Sequence, residues 1–166
     1  LNNKKSFSRY LVENNITGNT IVFNKALRKL YKRPMVSFMH DWWLGILAMT
    51  FGKVGYIDET LVKYRQHGLN ELGAKNPLDI ENIKRRDSEK IRENYDTMFA
   101  QAREFLRLDR NELENTVDSD TKFAYGILKA FVNMQDKNRI SKIIDIMRYS
   151  FFKSSPILTI GEMLNI

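Results

Sequence analysis

Cysteine is absent from the 166 residues. Disulfides and thiolate zinc sites are therefore excluded, and a reducing compartment is permitted. Histidine occurs only as His40 and His67, too few for an all-histidine metal site within one chain. No apolar run approaches the ~20 residues of a membrane-spanning helix. The opening Leu1-Asn2-Asn3-Lys4-Lys5 lacks the apolar segment of a secretory signal. Internal repeats and low-complexity tracts are missing as well. A start at leucine on a polar stretch is expected of the second part of a longer protein.

What is present is the composition of an ordinary globular domain, 43% hydrophobic and 28% charged, long enough to bury a core. The net charge of +7 directs attention to anionic partners: nucleotide phosphates, nucleic acid or an acidic lipid surface. Basic and acidic residues alternate along the most charged stretch, Lys84 to Glu93, and no nucleic-acid motif occurs, so nucleic acid is not an expected partner.

Taken in order, Ser6–Glu13 reads as an irregular approach or a short helix. Asn15–Phe23, β-branched and aromatic around Gly18, reads as a strand, with the glycine marking a bulge or a close approach by a ligand or another backbone. Asn24 caps a short helix that ends before Pro34. A second helix runs from about Asp41 to Thr50 and closes at Gly52. Val54–Ile57 and Leu61–Arg65 read as two short strands about a turn, and Gln66–Asn76 as a loop. From Pro77 onward, apolar residues Ile80, Ile83, Ile91, Tyr95, Met98, Ala102 and Phe105 repeat at helical spacing, predicting a long amphipathic helix over Leu78–Leu108. After a polar connection, Asp120/Thr121 cap a helix to about Met134, and a last helix spans Arg139–Phe152. The boundary between an N-terminal part, 1–76, and a helical C-terminal part, 77–166, falls where this change of character occurs.

The most chemically loaded stretch is Met39-His40-Asp41-Trp42-Trp43. A carboxylate at a helix start, next to two indoles, suits a general base beside an aromatic platform; adjacent indoles cannot share one helix face. The same five residues also suit a helix cap with two core tryptophans. Arg65 ends the second of the short strands, and His67 and Asn70 follow directly in the loop.

Residues 15–74 resemble the second half of the catalytic domain of family 2 glycosyltransferases, in the rhamnosyltransferase-like branch that builds bacterial surface polysaccharides. Four blocks carry the resemblance: Asn15-Ile16-Thr17-Gly18-Asn19-Thr20; Met39-His40-Asp41-Trp42-Trp43; Phe51-Gly52-Lys53-Val54-Gly55-Tyr56-Ile57-Asp58-Glu59; and Tyr64 through Ala74. The resemblance implies a GT-A nucleotide-binding fold whose first half, with its acidic Asp-x-Asp metal motif, does not occur before residue 15. Asp118-Ser119-Asp120 has the letters of that motif but follows the helical region, where it reads as a linker and helix cap. The expected fold is thus α+β and predominantly helical, with truncated GT-A sheet strands near the N-terminus followed by a helical C-terminal extension.

The activity implied is inverting transfer of a sugar, rhamnose being the branch's candidate, from a nucleoside-diphosphate sugar to a glycan or lipid-linked acceptor. A divalent metal, Mn or Mg, would serve the full-length enzyme. A fragment of this kind is expected to be inactive alone. By resemblance Asp41 is the base that deprotonates the acceptor hydroxyl. His67 matches a position on the metal or the diphosphate. Arg65 or a protonated His67 would pair with phosphate oxygens, and Asn70 is a candidate in the same loop as His67. Thr17 and Gly18 line the cleft, and Trp42 or Trp43 faces the sugar. Each also has an ordinary reading: loop hydrogen bonding for His67, strand packing for Thr17 and Gly18, core packing for the tryptophans.

Such an enzyme would work in the cytoplasm at the inner face of the membrane. Basic residues interleaved with Phe151, Phe152 and Ile157 suit peripheral membrane contact, and equally suit helix packing. The competing class is a basic helical binding or oligomerisation module that contacts anionic lipid or nucleic acid. Apolar surface left by an absent half would favour a homo-oligomer.

Overall fold

The computed structural model describes residues 4–63, 88–155, 159 and 161–162. Helices dominate: α1 (Lys4–Val12), α2 (Lys25–Leu30), α3 (His40–Phe51), α4 (Ser88–Leu108), α5 (Arg110–Asn115), α6 (Ser119–Met134) and α7 (Arg139–Tyr149).

Local chemistry sets most of the ends. The side chains of Asn24, Asp118 and Asn138 each accept a hydrogen bond from the backbone N–H three residues on, at 3.0, 2.7 and 2.9 Å, starting α2, α6 and α7. Each satisfies a donor that the first helical turn cannot. At the other end of α7, Ser150 adopts left-handed backbone (φ 60°, ψ 43°). The N–H of Phe151 then bonds back to the carbonyl of Ile146 at 3.1 Å. That reversal stops the last helix at Tyr149, short of the expected Phe152, and turns Phe151 into the core.

Helix α6 is the centre of the packing, lying against α1, α3, α4, α5 and α7. Its Phe131 ring is fully buried between Phe99 of α4 (centroids 4.7 Å apart) and Phe151 (5.2 Å). Trp43 of α3 meets Phe105 of α4 edge-on at 5.3 Å, extending the aromatic core towards the N-terminal side. Beyond α7, Ser154 donates from its backbone N–H to Glu13 at 2.8 Å, and Tyr95 donates to Glu162 at 3.1 Å, closing the C-terminal end over α1 and α4.

One expectation is corrected. Among the described residues there is no strand and no sheet, so the truncated GT-A strands are not formed. Gly18–Thr20 is instead a single 3-10 turn, and residues 54–63 are irregular. β-Branched and aromatic residues suit a pleated surface only when a neighbouring strand supplies hydrogen bonds, and short isolated strands are not stable in water. The expected strand residue Arg65, the loop 66–76 and the first ten residues of the expected long helix lie outside the described residues. From Ser88 to Leu108 that helix is present.

Candidate active site

Helix α3 begins with Met39 as its cap residue, so Asp41 is not the cap but stands two positions further in, in the first turn. The Asp41 side chain is turned back from the helix axis into a buried knot, 7% exposed. Its Oδ1 accepts from the Asn14 side-chain amide at 3.0 Å and from the Trp42 N–H at 2.7 Å. Its Oδ2 accepts from the backbone N–H of Gly18 at 3.0 Å. A carboxylate oxygen can accept about two hydrogen bonds. Oδ1 is therefore saturated, and Oδ2 keeps one position for a further donor.

Gly18 sits close under two side chains of α3: a methyl group on its α-carbon would fall 2.5 Å from Nε2 of His40 and 3.4 Å from Oδ2 of Asp41. The approach at this glycine is thus made by side chains, not by the ligand or second backbone segment expected there. His40 is exposed, and its ring stands beside Gly18 at the mouth of the knot. Thr17 is exposed as well, and its carbonyl accepts from the N–H of Thr20 at 2.9 Å to close the turn.

The knot has a second layer in α1, which the sequence pattern did not single out. Asn14 Oδ1 accepts from the Tyr10 hydroxyl at 2.9 Å and from the N–H of Ile16 at 3.0 Å. With its oxygen held by two donors, the Asn14 amide must present its NH₂ to Asp41. Burial, and then the nearby Asp41 charge, push the Tyr10 phenol above its ordinary range, so it acts here as a neutral donor. The Tyr10 carbonyl in turn accepts from Nε1 of Trp42 at 2.6 Å. Gly45, one turn along α3 from Asp41, makes room for this arrangement: a methyl group there would overlap the Tyr10 ring and hydroxyl. The available sequence signal was Asn14 itself, an Asx turn at the end of a helix.

Trp42 and Trp43 point about 100° apart, as adjacent helical residues must, yet both are buried because α3 is covered on two sides. Trp42 packs on Tyr10 and Phe38, Trp43 on Phe105. Neither indole offers an open face to a sugar. The Nε1 of Trp43 has no hydrogen-bond partner among the described residues.

Asp41 and Gly18 are therefore brought together, with His40 beside them, and Thr17 is the exposed residue that precedes Gly18. Arg65, His67 and Asn70 lie outside the described residues. Among the described residues no three His, Asp or Glu side chains stand close enough to hold a metal ion. The Asp41 carboxylate faces N–H donors, which is a poor donor set for a cation. No family model, curated protein or solved structure matches the chain.

Proposed function

We propose that the chain is the acceptor-side part of an inverting glycosyltransferase, with Asp41 as the general base. The observation that supports this reading most is the convergence at Asp41. Two of the blocks that carry the resemblance, 15–20 and 39–43, meet through the Gly18 N–H and the Asp41 carboxylate. The carboxylate is fixed by Asn14 and Trp42 on one oxygen and keeps an unfilled position on the other.

In the proposed reaction an acceptor hydroxyl donates to Oδ2. Its proton passes to the carboxylate as its oxygen attacks the anomeric carbon. The bond from that carbon to the nucleoside diphosphate breaks, and the electron pair leaves with the diphosphate. The hydrogen bonds from Asn14, Trp42 and Gly18 hold the base in one orientation, which removes the reorganisation a free carboxylate would require. His40, exposed at the mouth, is a positioning residue for the turn that carries Gly18.

The test is transfer by the protein that carries this chain behind a nucleotide-binding half, wild type against Asp41→Asn, over a panel of nucleoside-diphosphate sugars with a lipid-linked acceptor. Asparagine keeps the shape and one accepting oxygen but cannot take the proton. Transfer should fall by several hundred-fold or more, within the ~10²–10⁴ typical of general-base catalysis, with donor affinity retained. Transfer near the wild-type rate would reduce Asp41 to a structural knot.

A further inference from the structure

Helix α7 has an outer face unlike that of a solvated surface helix. Its well-exposed residues are Arg139, Ile140, Ile144, Met147 and Arg148, the three apolar ones 73%, 56% and 62% exposed. With successive residues about 100° apart, the order around this face is Arg139, Ile143, Met147, Ile140, Ile144, Arg148. A continuous apolar stripe is thus edged by one arginine on each side. The helix carries a single carboxylate, Asp145, and it is turned inward, buried and paired with Lys137 at 2.6 Å. No acid of α7 itself therefore faces outward beside the arginines.

We infer that this face of α7 docks the protein, parallel to the surface, on a membrane containing anionic lipid. The composition matches an interfacial helix: apolar side chains enter the acyl boundary while flanking arginines meet phosphate headgroups. A second copy of this chain is a poorer occupant, because a symmetric pairing would bring the bordering arginines of both copies together. Among the described residues no helix is long and apolar enough to cross a membrane, so docking here means lying on it. Of the apolar residues that the sequence pointed to, Phe151 is buried and Phe152 half-buried, and Ile157 lies outside the described residues. The inference rests on α7 alone and does not depend on the role of Asp41.

The experiment is co-sedimentation of the 166-residue chain with phosphatidylcholine vesicles, with and without phosphatidylglycerol, over a salt series. Wild type should bind the anionic vesicles, and added salt should release it. Arg139→Gln and Arg148→Gln should each weaken binding by about fivefold. Ile144→Glu with Met147→Glu should weaken it tenfold or more, with circular dichroism unchanged because both sites are exposed. As the chain has no cysteine, Ile144→Cys accepts a single environment-sensitive dye, whose emission should shift to the blue on anionic vesicles. Failure of wild type to bind anionic vesicles would overturn the inference, as would undiminished binding by the double glutamate variant. A dimer by light scattering that the glutamates dissolve, with no vesicle binding, would assign the face to a second copy instead.

Discussion

In residues 88–155 the rings of Phe99, Phe131 and Phe151 lie one upon the next, and the large apolar residues left outside are Val117 in a connection and the stripe on α7. Residues 4–63 have an apolar core as well, with Phe7, Leu11, Trp42, Trp43, Ile46 and Leu47 buried, but they leave more apolar surface outside: Val22 is 97% exposed, Met35 87%, Tyr56 75% and Leu61 67%. Beside that core lies a polar cluster of Asp41, the Tyr10 hydroxyl and the Asn14 amide. At the seam between the two regions, polar contacts accompany the Trp43–Phe105 ring pair. Gln101 accepts from the N–H of Phe38 at 2.8 Å, Glu104 from that of Met35 at 3.0 Å, and Lys32 bridges Asp109 and Glu112 at 3.0 and 2.8 Å. Hydrophobic burial is non-directional and fills volume. Hydrogen bonds fix orientation, and that is what a reactive carboxylate needs. The region that carries the candidate chemistry therefore adds directional contacts around Asp41 to its apolar core.

If the C-terminal region rests on ring packing, its most damaging lesion is loss of the central ring. Phe131→Ala should cost about 3–5 kcal/mol, the range for a buried phenylalanine truncation, read as a fall in the urea midpoint. A cost no larger than that of a surface change would break the comparison, since the stack would then not carry the region.

The N-terminal region should respond instead to disturbance of its knot. Gly45→Ala places a methyl group against Tyr10 and should cost about 1–3 kcal/mol by overpacking, although alanine favours a helix interior by up to ~1 kcal/mol. The expected sign is destabilisation, accompanied by a change in tryptophan fluorescence because Trp42 is bonded to Tyr10. A gain in stability would mean that Tyr10 is not confined.

The seam should be sensitive to acid. The Arg107 guanidinium and the Met35 N–H hold the Glu104 carboxyl well below its ordinary range, at about 2. A depressed folded-state value stabilises the fold above the unfolded value near 4.5, and that stabilisation is lost as pH falls through about 2. Because Arg107 is largely exposed, solvent screening limits the effect to on the order of 1 kcal/mol. Urea midpoints between pH 5 and 2 should fall less steeply in Glu104→Gln than in wild type, and equal slopes would remove Glu104 from the seam.

The helices were legible in the sequence wherever a periodic apolar face coincided with a local cap. Asn24 announces α2, and the spacing of Tyr95, Met98, Ala102 and Phe105 announces α4, because both signals depend on neighbours within one or two turns. Strand-like composition at 15–23 and 54–57 misled for the complementary reason. A strand is defined by a partner elsewhere in the chain, and no local pattern supplies one. At the site, the sequence singled out Asp41 and Gly18, which the fold does bring together, and Thr17, which is exposed beside Gly18. It did not single out Tyr10 and Asn14, whose roles arise only because α1 packs across the start of α3.

The sequence by itself determined the absence of disulfides, the net positive charge, the helical periods and the cap at Asn24, all of which are properties of residues and their near neighbours. The caps of α3 and α6 fall instead at Met39 and Asp118, two residues before those read from the sequence. Tertiary structure decided that both indoles face inward, that Asp41 keeps one oxygen partly open, and that Asp145 turns away from the outer face of α7. Each of those outcomes depends on which surface another helix covers. Side-chain burial is a relation between distant segments, and no window along the chain contains it.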